Sequence, residues 1–488
     1  MLRILEDLHR NAVAFPTAPA LVSVGHSARE ATNYRQLDDQ VGRIAAAIRA
    51  RVPGGVVLLC YPNRPQFVSA FLGILAAERM LFPLAADLAA PELAAAARRS
   101  SAAAAIVAGD FAAAFNGVFK SAVPFPEAAD DVLLLTEPDW RALPATAPAL
   151  LLHSSGTTAQ PKVVMRDGPA LDAVSKNMVR ACGFRHEDHI LAAVPLCHSY
   201  GLEHGILAPI SAGCCVHVCR KFDLAAVLAE LRESGITVFP GVPFMFEMLG
   251  QSGGGEFPSF RLAYSAGGPL PRATFDRFHR NFGLKLGQVY GATEVGSVTF
   301  NDPSSARFDP SSVGLPMDGV SIRLLDPDSP RICKGISAPS EGEIAVAAPS
   351  MFSSYLGDEN SGLVDGHFRT GDLGTLDTLG NLTITGRLKL LIDIGGRKVN
   401  PAEVESVLRE HPRVGQCVVV PIRLSETVQR LKAVVTPGRP DLELSPQDLR
   451  RFVRQRLSAY KVPRIFEIRD ALPTSSAGKV LRRLAEAP

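Results

Sequence analysis

The most constraining feature of the sequence is a repeated alternation of amphipathic helix, short buried strand and glycine-containing turn. Near the start, apolar residues recur on one face of a predicted helix at Leu37, Val41, Ile44 and Ile48. The apolar run 55–60 follows as a buried strand, and 65–75 returns to helix. Further strands that lead into glycine-containing turns are predicted at 189–195, 235–241, 260–268 and 284–293. This alternation predicts an α/β fold, in which ligands commonly bind at the carboxyl ends of the strands.

Length and composition narrow the class of protein. With 488 residues, 47% of them hydrophobic, the chain can bury a large core, and its length favours about three domain-sized units. The 51 basic and 49 acidic residues nearly balance, so no basic face is predicted for nucleic acid or an anionic membrane. The eight cysteines lack a repeated short spacing, which favours a reducing compartment over a disulfide scaffold. Without an apolar run of ~18 residues or an apolar signal segment, we expect a cytoplasmic protein with no integral membrane segment.

The sequence from about Lys389 onward has a different pattern. Asn400 is a candidate helix cap, with Pro401 at the first helical position and Glu403 three residues after the cap. Two apolar strands and a second capped helix, beginning at 445–446, follow. These elements predict a small α+β domain at the carboxyl terminus.

The stretch LLHSSGTTAQPKVVMR, residues 151–166, is a loop of small and hydroxylated residues between two apolar runs. Its backbone N–H groups can surround a polyanion, together with the hydroxyls of Ser154, Ser155, Thr157 and Thr158. Lys162 adds a positive charge at the end of the loop. No Gly-Lys-Ser/Thr follows Gly156, so this is not the phosphate loop of kinase-type ATPases. The pattern favours phosphate binding, although a plain turn rich in serine and threonine has the same composition.

Four further motifs follow this loop in a fixed order. They are YGATEVG at 290–296, HFRTGDLG at 367–374, GRLKLLIDIGGRKVNPAEVE at 386–405 and LPTSSAGKVLRR at 472–483. Together the five motifs resemble the adenylate-forming superfamily, which contains acyl-CoA synthetases, aryl-CoA ligases, firefly luciferase and the adenylation domains of peptide synthetases. The resemblance covers nearly the whole chain. It implies an α/β fold with a large N-terminal domain of αβ subdomains and a β-barrel-like subdomain, residues 1–387. A small mobile α+β domain, residues 388–488, would rotate about a hinge at Lys389.

The resemblance also implies a reaction in two steps. A carboxylate is a poor electrophile, so the family first converts it with MgATP to an acyl-adenylate and pyrophosphate, and a thiol then displaces AMP. ATP, Mg²⁺ and CoA are the implied cofactors. The phosphopantetheine of a carrier protein is an open alternative to CoA, because both thiols end the same arm. A relative that has lost catalysis and acts as a nucleotide-binding interaction module is the alternative of another class.

Roles in nucleotide binding follow from the same resemblance. The loop residues implied to hold the phosphates are Ser154, Ser155, Gly156, Thr157, Thr158 and Lys162. Ala159 stands where the family commonly has glycine. In the second motif, Tyr290 would stack on adenine, Thr293 would contact the α-phosphate and Glu294 would bind magnesium. The glycines implied to lie close to the nucleotide are Gly267, Gly268 and Gly291.

The remaining implied roles lie later in the chain, with one exception. Asp372 would accept both ribose hydroxyls, and Arg387 would add charge near the ribose and the α-phosphate. Lys479 would bridge the substrate carboxylate and the α-phosphate as negative charge develops in the transition state. A flexible lysine on a basic tail is the alternative for Lys479. The loop glycines that would admit pantetheine are Gly395 and Gly396. The exception is His198, implied as a gate beside the acyl carboxylate or, alternatively, a core histidine.

The segment 182–219 is rich in histidine and cysteine. Its candidates for metal ligands are Cys182, His186, His189, Cys197, His198, His204, Cys214, Cys215, His217 and Cys219. None of the spacings is the paired Cys-x-x-Cys or His-x-x-x-His that structural zinc sites favour, and free cysteine is commonly buried. We therefore expect no zinc in this segment, although a zinc protein stays an alternative that metal analysis would settle.

The acid itself is only coarsely indicated. The segment around His198 lacks the aspartate with which amino-acid-activating relatives hold the substrate ammonium, which argues against an α-amino acid. Apolar residues that favour a hydrophobic acid, aliphatic or aromatic, are Val242, Pro243, Phe244 and Phe246. The sequence thus predicts an AMP-forming carboxylate–thiol ligase of fatty acid or aryl acid metabolism, with the chain length of the acid undetermined.

Overall fold

The computed structural model describes residues 2–25, 30–138, 140, 149–154, 162–325, 341–358, 362–387, 392–395, 397–399, 401–425, 428–438 and 444–472. The chain forms two compact units. The first comprises Met1–Ala86, Ala97–His153 and Val163–Leu388. The second comprises Asp87–Ala96, Ser154–Lys162 and Lys389–Pro488.

The chain begins with alternating helices and strands. They are α1 (Arg3–Ala14), β1 (Pro19–Val24), β2 (Ala31–Asn33), α2 (Tyr34–Arg51), β3 (Val56–Cys60), α3 (Pro65–Ala76), β4 (Met80–Leu84), α4 (Ala90–Arg99), β5 (Ala104–Ala108), a 3-10 turn (Gly109–Phe115), β6 (Phe119–Pro124), β7 (Val132–Pro138) and β8 (Ala149–His153). The helix predicted from its apolar face is α2, and its four predicted face residues are buried. Asn33 caps α2, because its side chain accepts from the Gln36 N–H while the Gln36 side chain accepts from the Asn33 N–H.

The middle of the chain continues the alternation. Its elements are β9 (Val163–Asp167), α5 (Gly168–Cys182), β10 (His189–Ala192), α6 (Ser199–Leu202), a π-helical turn (Glu203–Leu207), α7 (Ala208–Ala212), β11 (Cys215–Cys219), α8 (Leu224–Glu233), β12 (Val238–Gly241), α9 (Pro243–Gln251), β13 (Leu262–Ser265), α10 (Arg272–Phe282), β14 (Leu286–Ala292), β15 (Gly296–Asn301) and β16 (Leu315–Pro316). The four strands predicted to lead into turns are confirmed as β10, β12, β13 and β14.

The rest of the first unit is mainly antiparallel sheet. Its strands are β17 (Ser321–Leu325), β18 (Gly342–Ala347), β19 (Ser354–Tyr355), β20 (Leu363–Val364), β21 (His367–Leu376) and β22 (Leu382–Arg387). Five of them form one sheet in the order β17-β18-β21-β20, with β22 also paired to β21.

Two larger sheets carry the core of the first unit. Within the described residues, one has the order β16-β15-β14-β13-β12-β10-β11-β1-β2 and the other the order β19-β9-β8-β4-β3-β5-β7-β6. The largest buried cluster joins Ile190 and Val216 of the first sheet, Leu59 and Leu152 of the second, and Ile44 of α2. The mixed α/β fold with a large N-terminal domain is thereby confirmed.

The central strands of the first of these sheets run parallel. Strand β10 pairs in parallel with β11 and β12, β12 with β13, and β13 with β14. The described residues of β10, β12 and β13 are buried apart from His189, as expected for parallel strands covered on both faces. Parallel pairing brings the carboxyl ends of β10, β12, β13 and β14 to one edge, the usual place for a ligand in an open α/β sheet.

The second unit contains a small α+β domain. Its elements after residue 391 are β23 (Ile392–Ile394), β24 (Arg397–Val399), α11 (Pro401–Arg409), β25 (Val414–Arg423), β26 (Gln429–Pro437), α12 (Pro446–Arg454), a 3-10 turn (Ala459–Lys461) and β27 (Ile465–Ile468). Strand β25 pairs antiparallel with β26, and β26 pairs in parallel with β27. Ser445 caps α12 by accepting from the Gln447 N–H. The predicted cap Asn400 lies outside the described residues.

None of the helices in the described part of the chain combines the length and the apolar character that a bilayer crossing needs.

A buried ion pair joins three segments of the first unit. The Arg166 Nη1 of β9 donates to Glu203 Oε1 at 2.5 Å, and the side chains are 0% and 1% exposed. The second carboxylate oxygen of Glu203 accepts from the Ser297 backbone N–H at 2.9 Å and from its hydroxyl at 2.7 Å. Burial opposes ionisation of Glu203, but Arg166, together with the Ser297 hydrogen bond, outweighs it and lowers the pKa of Glu203.

We expect Arg166→Met to destabilise the first unit by about 3–5 kcal/mol, because it leaves the buried Glu203 without its cation. Arg180→Met is the matched control, since its pair with Asp318 has a length of 2.7 Å but side chains 60% and 68% exposed. Its cost should stay below about 1 kcal/mol. Denaturation midpoints of the two variants and the parent measure the difference. Equal midpoints for both variants would contradict the importance of the buried pair.

Candidate active site

Four of the residues implied for nucleotide binding lie at the carboxyl ends of parallel strands of the first unit. Gly267 and Gly268 follow β13, and Tyr290 and Gly291 end β14. The end of β13 is held beside that of β12 by the Ala266 N–H, which donates to the Gly241 carbonyl oxygen at 3.2 Å. Gly267 has φ +82°, a left-handed backbone conformation that favours glycine. The glycine-containing turn predicted after this strand is therefore present, and its backbone conformation at Gly267 requires glycine.

A tight hairpin between β14 and β15 carries Thr293 and Glu294 in its turn. The register of the pair shifts between Tyr290 and Gly291, which marks a β-bulge. A Cβ on Gly291 would lie 2.3 Å from the Gly296 carbonyl oxygen, so only glycine allows this approach. The Phe352 N–H donates to the Glu294 carbonyl oxygen at 2.7 Å and fixes the turn from outside.

Tyr290 and Asp372 come from motifs far apart in the sequence and meet in the structure. The Tyr290 hydroxyl donates to Asp372 Oδ2 at 2.9 Å, and both residues are buried. Asp372 lies in β21, directly opposite Arg387 of β22. The side chain of Arg387 is not among the described atoms, so its implied role stays a prediction. The structure thus brings three of the implied nucleotide residues to one place in the first unit.

Glu294 has the properties expected of a ligand for a hard cation. Its Oε1 accepts from the Tyr355 hydroxyl at 3.1 Å, and its side chain is partly exposed. Burial, with the Glu294 charge as the next cause, raises the pKa of Tyr355, so the phenol stays a donor. Magnesium is usually bound by one or two carboxylates with phosphates and waters, and Glu294 fits that requirement. Tyr355 was not identified from the sequence.

His198 begins the helical segment that follows β10. It occupies the cap position of α6, where the Leu202 N–H donates to its carbonyl oxygen at 2.9 Å. Tyr200 and His204 of this segment and Pro240 of β12 line a small void. The Tyr200 hydroxyl donates to the Gly241 carbonyl oxygen at 3.1 Å and so links α6 to the end of β12.

A buried polar network behind this edge was missed by sequence reasoning. His204 contacts the Tyr264 hydroxyl at 2.8 Å and the Ser297 hydroxyl at 2.9 Å, and Ser297 in turn donates to Glu203. Burial lowers the pKa of His204 to about 4, although the Glu203 charge acts in the opposite direction. His204 is therefore neutral at pH 7. Charged or polar residues inside otherwise apolar runs, such as Arg166 and Glu203, are the signal that could have revealed the network.

Several implied site residues belong to the second unit or lie outside the described residues. In the second unit, the Ser154 N–H donates to the Lys162 carbonyl oxygen at 2.8 Å. Gly395, with φ +63°, follows β23 before β24. The implied residues outside the described part of the chain are Ser155, Gly156, Thr157, Thr158, Lys389, Gly396 and Lys479. Their roles stay predictions.

Three of the apolar residues that favoured a hydrophobic acid pack against other apolar side chains of the protein. Val242 and Phe246 are buried in a core cluster at the start of α9, and Phe246 packs edge-on against Phe278 at 5.3 Å. Phe244 packs edge-on against Phe222 at 5.5 Å. The apolar character of the acid thus stays a prediction.

Comparison with known proteins identifies the family of this chain. The model of the AMP-binding enzyme family matches residues 8–356, and the model of the AMP-binding enzyme C-terminal domain matches 403–479. The chain belongs to the AMP-binding enzyme family. The first range contains the motif at 290–296, and the second range ends at Lys479.

Curated relatives support this membership, and a solved structure has the same fold. The chain is 28% identical over 481 residues to an oxalate–CoA ligase of Arabidopsis thaliana, covering 92% of each chain. It is 30% identical over 479 residues to a feruloyl-CoA synthase of Amycolatopsis, covering 95% of each. A structure of a double mutant of the o-succinylbenzoate CoA synthetase of Bacillus subtilis matches with a TM-score of 0.84 and 24% identity, over 98% of this chain and 97% of that one. This last likeness shows the fold.

We expect Gly291→Ala to cost about 1–3 kcal/mol, because the added Cβ collides with the Gly296 carbonyl oxygen. The displaced turn should also reduce acid activation by about 10²-fold, the loss typical of a misplacement of about 1 Å. Pyrophosphate release and the denaturation midpoint measure both effects.

Gly42→Ala is the control for this substitution. Gly42 lies inside α2, and a Cβ there would meet nothing within 4 Å. Alanine at this position should keep full activity and raise stability slightly. Parent-like activity of Gly291→Ala would show that the hairpin geometry does not matter for the reaction.

Proposed function

We propose that this protein is an AMP-forming carboxylate–thiol ligase that uses ATP to convert a carboxylic acid to an acyl-adenylate and then transfers the acyl group to CoA. Family membership and the CoA ligases among its relatives support the reaction class. The single observation that carries the site is the hydrogen bond from Tyr290 to Asp372. It joins the second and third motifs beside the turn that holds Glu294.

In this proposal the first unit binds the adenosine and part of the phosphate chain. The Tyr290 ring provides a face for adenine, and its hydroxyl orients the Asp372 carboxylate toward the ribose. Gly267 and Gly268 allow the backbone to approach the base. The loop from Ser154 to Lys162 supplies donors to the β- and γ-phosphates.

Magnesium would be held by Glu294, with Tyr355 fixing the carboxylate. When bound, it neutralises charge on the phosphates. Thr293 lies next to Glu294 in the same turn and would contact the α-phosphate. His198 would lie beside the carboxylate of the acid.

In the first step a carboxylate oxygen of the acid attacks the α-phosphorus, and pyrophosphate leaves. Lys479, on the last motif, would hold the carboxylate and the α-phosphate together while charge develops. In the second step the thiol of CoA attacks the carbonyl carbon, loses its proton and expels AMP. The change between the steps would use Lys389 as hinge and the loop with Gly395 and Gly396 as the contact for pantetheine.

The acid is proposed to be hydrophobic, as the sequence predicts. Names of relatives include both oxalate and ferulate, so the family allows small polar and aromatic acids. A carrier-protein phosphopantetheine remains the alternative acceptor. A cytoplasmic location is proposed from the composition, and the described cysteines form no disulfide with one another.

Pyrophosphate release across a panel of aliphatic, aromatic and dicarboxylic acids tests the first step. We expect release that depends on ATP, Mg²⁺ and one class of acid. Adding CoA or a phosphopantetheinylated carrier protein in separate reactions then identifies the acceptor from the thioester formed. Absence of pyrophosphate release with every acid would favour the nucleotide-binding module and reject the ligase.

For Lys479→Ala we expect acid activation to fall by about 10²–10³-fold, the effect typical of losing one stabilising group in a transition state. Thioester formation from supplied acyl-adenylate should survive, because the charge that Lys479 neutralises develops only in the first step. Lys176→Ala, an exposed lysine on α5, is the control and should leave both steps unchanged. Equal loss of both steps in Lys479→Ala would contradict this role.

A further inference from the structure

A cluster of histidine and cysteine side chains lies on neighbouring strands of the first unit, apart from the nucleotide residues. Strands β10 and β11 run parallel with His189 opposite Cys215. His217 lies two residues after Cys215, and side chains two residues apart in a strand point to the same face. The strand register therefore places all three side chains on one face of the sheet.

The side-chain atoms of this cluster are close enough to share one ion. One ligand atom from each of His189, Cys215 and His217 lies within 4.8 Å of the others. His189 Nδ1 and His217 Nε2 are 2.9 Å apart. Cys215 and His217 are 2% and 1% exposed, and His189 is partly exposed. Among the residues that the structure describes, this is the group of three such donors that converges on one point.

A carboxylate on the helix that packs over this face completes the arrangement. Glu230 of α8 lies with Oε2 at 3.0 Å from His217 Nδ1. The Nδ1–H of this ring donates a hydrogen bond to the carboxylate, so Nε2 carries the lone pair and faces His189. Metal-binding histidines are commonly oriented in this way by a carboxylate on the other ring nitrogen.

We propose that His189, Cys215 and His217 bind a zinc ion, with Glu230 as the positioning residue of His217 and water in the fourth position. Two imidazoles and a thiolate are typical zinc donors, and three protein ligands with an open fourth position occur in known zinc sites. Tetrahedral bonds of about 2.0–2.1 Å place two nitrogen ligands about 3.3 Å apart. The two rings therefore need to separate by only a few tenths of an ångström from their present contact.

The proton balance of binding is simple. His217 keeps its proton on Nδ1, where it is hydrogen-bonded to Glu230. His189 moves its ring proton from Nδ1 to Nε2, and the Cys215 thiol loses its proton to solvent. Binding thus releases one proton per zinc ion, without oxidation or reduction.

This site lies away from the proposed reaction centre. His189 and Cys215 are the first residues of β10 and β11, whereas Gly267, Tyr290 and Gly291 lie at the carboxyl ends of parallel strands in the same sheet. The length of β10 alone separates these two edges by about 10 Å, at about 3.3 Å per residue. Zinc here would stabilise the contact of β10, β11 and α8 rather than take part in acid activation.

Titration of chelator-treated full-length protein with Co²⁺ tests the proposal, because a thiolate ligand gives a sulfur-to-cobalt charge-transfer absorption. We expect one equivalent of Co²⁺ with this absorption, its displacement by one equivalent of Zn²⁺ and no displacement by Mg²⁺. Calorimetry in buffers of different ionisation enthalpy should show one proton released per zinc ion. Zinc should also raise the denaturation midpoint of the protein.

Variants separate this site from other metal binding. Cys215→Ser should abolish the absorption and the zinc-dependent rise in the denaturation midpoint. His189→Asn should have the same two effects, and because His189 is partly exposed, this substitution disturbs the core less. Glu230→Gln should weaken zinc binding by about 10–100-fold, as expected for a group that orients a ligand. Cys60→Ser replaces a buried strand cysteine in the other large sheet and should behave as the parent.

Absence of the absorption in the parent, with the protein folded, would overturn the proposal. Zinc binding of parent affinity and stoichiometry in Cys215→Ser would also overturn it. Neither result would affect the proposed ligase, whose pyrophosphate release is measured with Mg²⁺ alone.

Discussion

The buried pair of Arg166 and Glu203 is the interaction on which the candidate site depends most. A carboxylate in a protein interior is costly unless a cation and hydrogen-bond donors surround it. Glu203 meets this requirement with Arg166 from β9 and with the backbone and hydroxyl of Ser297 from β15. Strand β15 is the second strand of the hairpin that carries Glu294. The buried Arg166–Glu203 pair therefore helps to hold the turn that carries Glu294 in place.

The two proposed sites use opposite properties of the same sheet. At the carboxyl ends of the parallel strands, glycine turns leave room for a nucleotide, and polar groups come from turns such as that of Glu294. At the beginning of β10 and β11, the strand register itself aligns His189 with Cys215. A turn can change position when a ligand binds, whereas residues in a strand ladder are held by the pairing. This difference in mobility is consistent with a reaction at the carboxyl ends of the strands and with a stabilising metal at the beginning of β10 and β11.

Prediction from the sequence succeeded where neighbours along the chain decide the structure. The apolar face of α2 is a local feature, and so are the four strands that lead into turns. The motifs also indicated that Tyr290 and Asp372 belong to one site, and the structure brings them into contact. Reasoning from spacing did not reveal that the side chains of His189, Cys215 and His217 lie together. These donors come from two strands joined by register, so no Cys-x-x-Cys pattern appears in the sequence.

The sequence by itself determined the class of fold, the family and the order of the reaction motifs, because these depend on periodicity, caps and short runs of residues. Only the tertiary structure decided that Tyr355 fixes Glu294, that Glu203 pairs with Arg166 and that His204 stays neutral. These properties follow from burial and from contacts between segments far apart in the chain. The energies of such contacts arise when water is excluded from both partners, a condition that no local pattern in the sequence specifies.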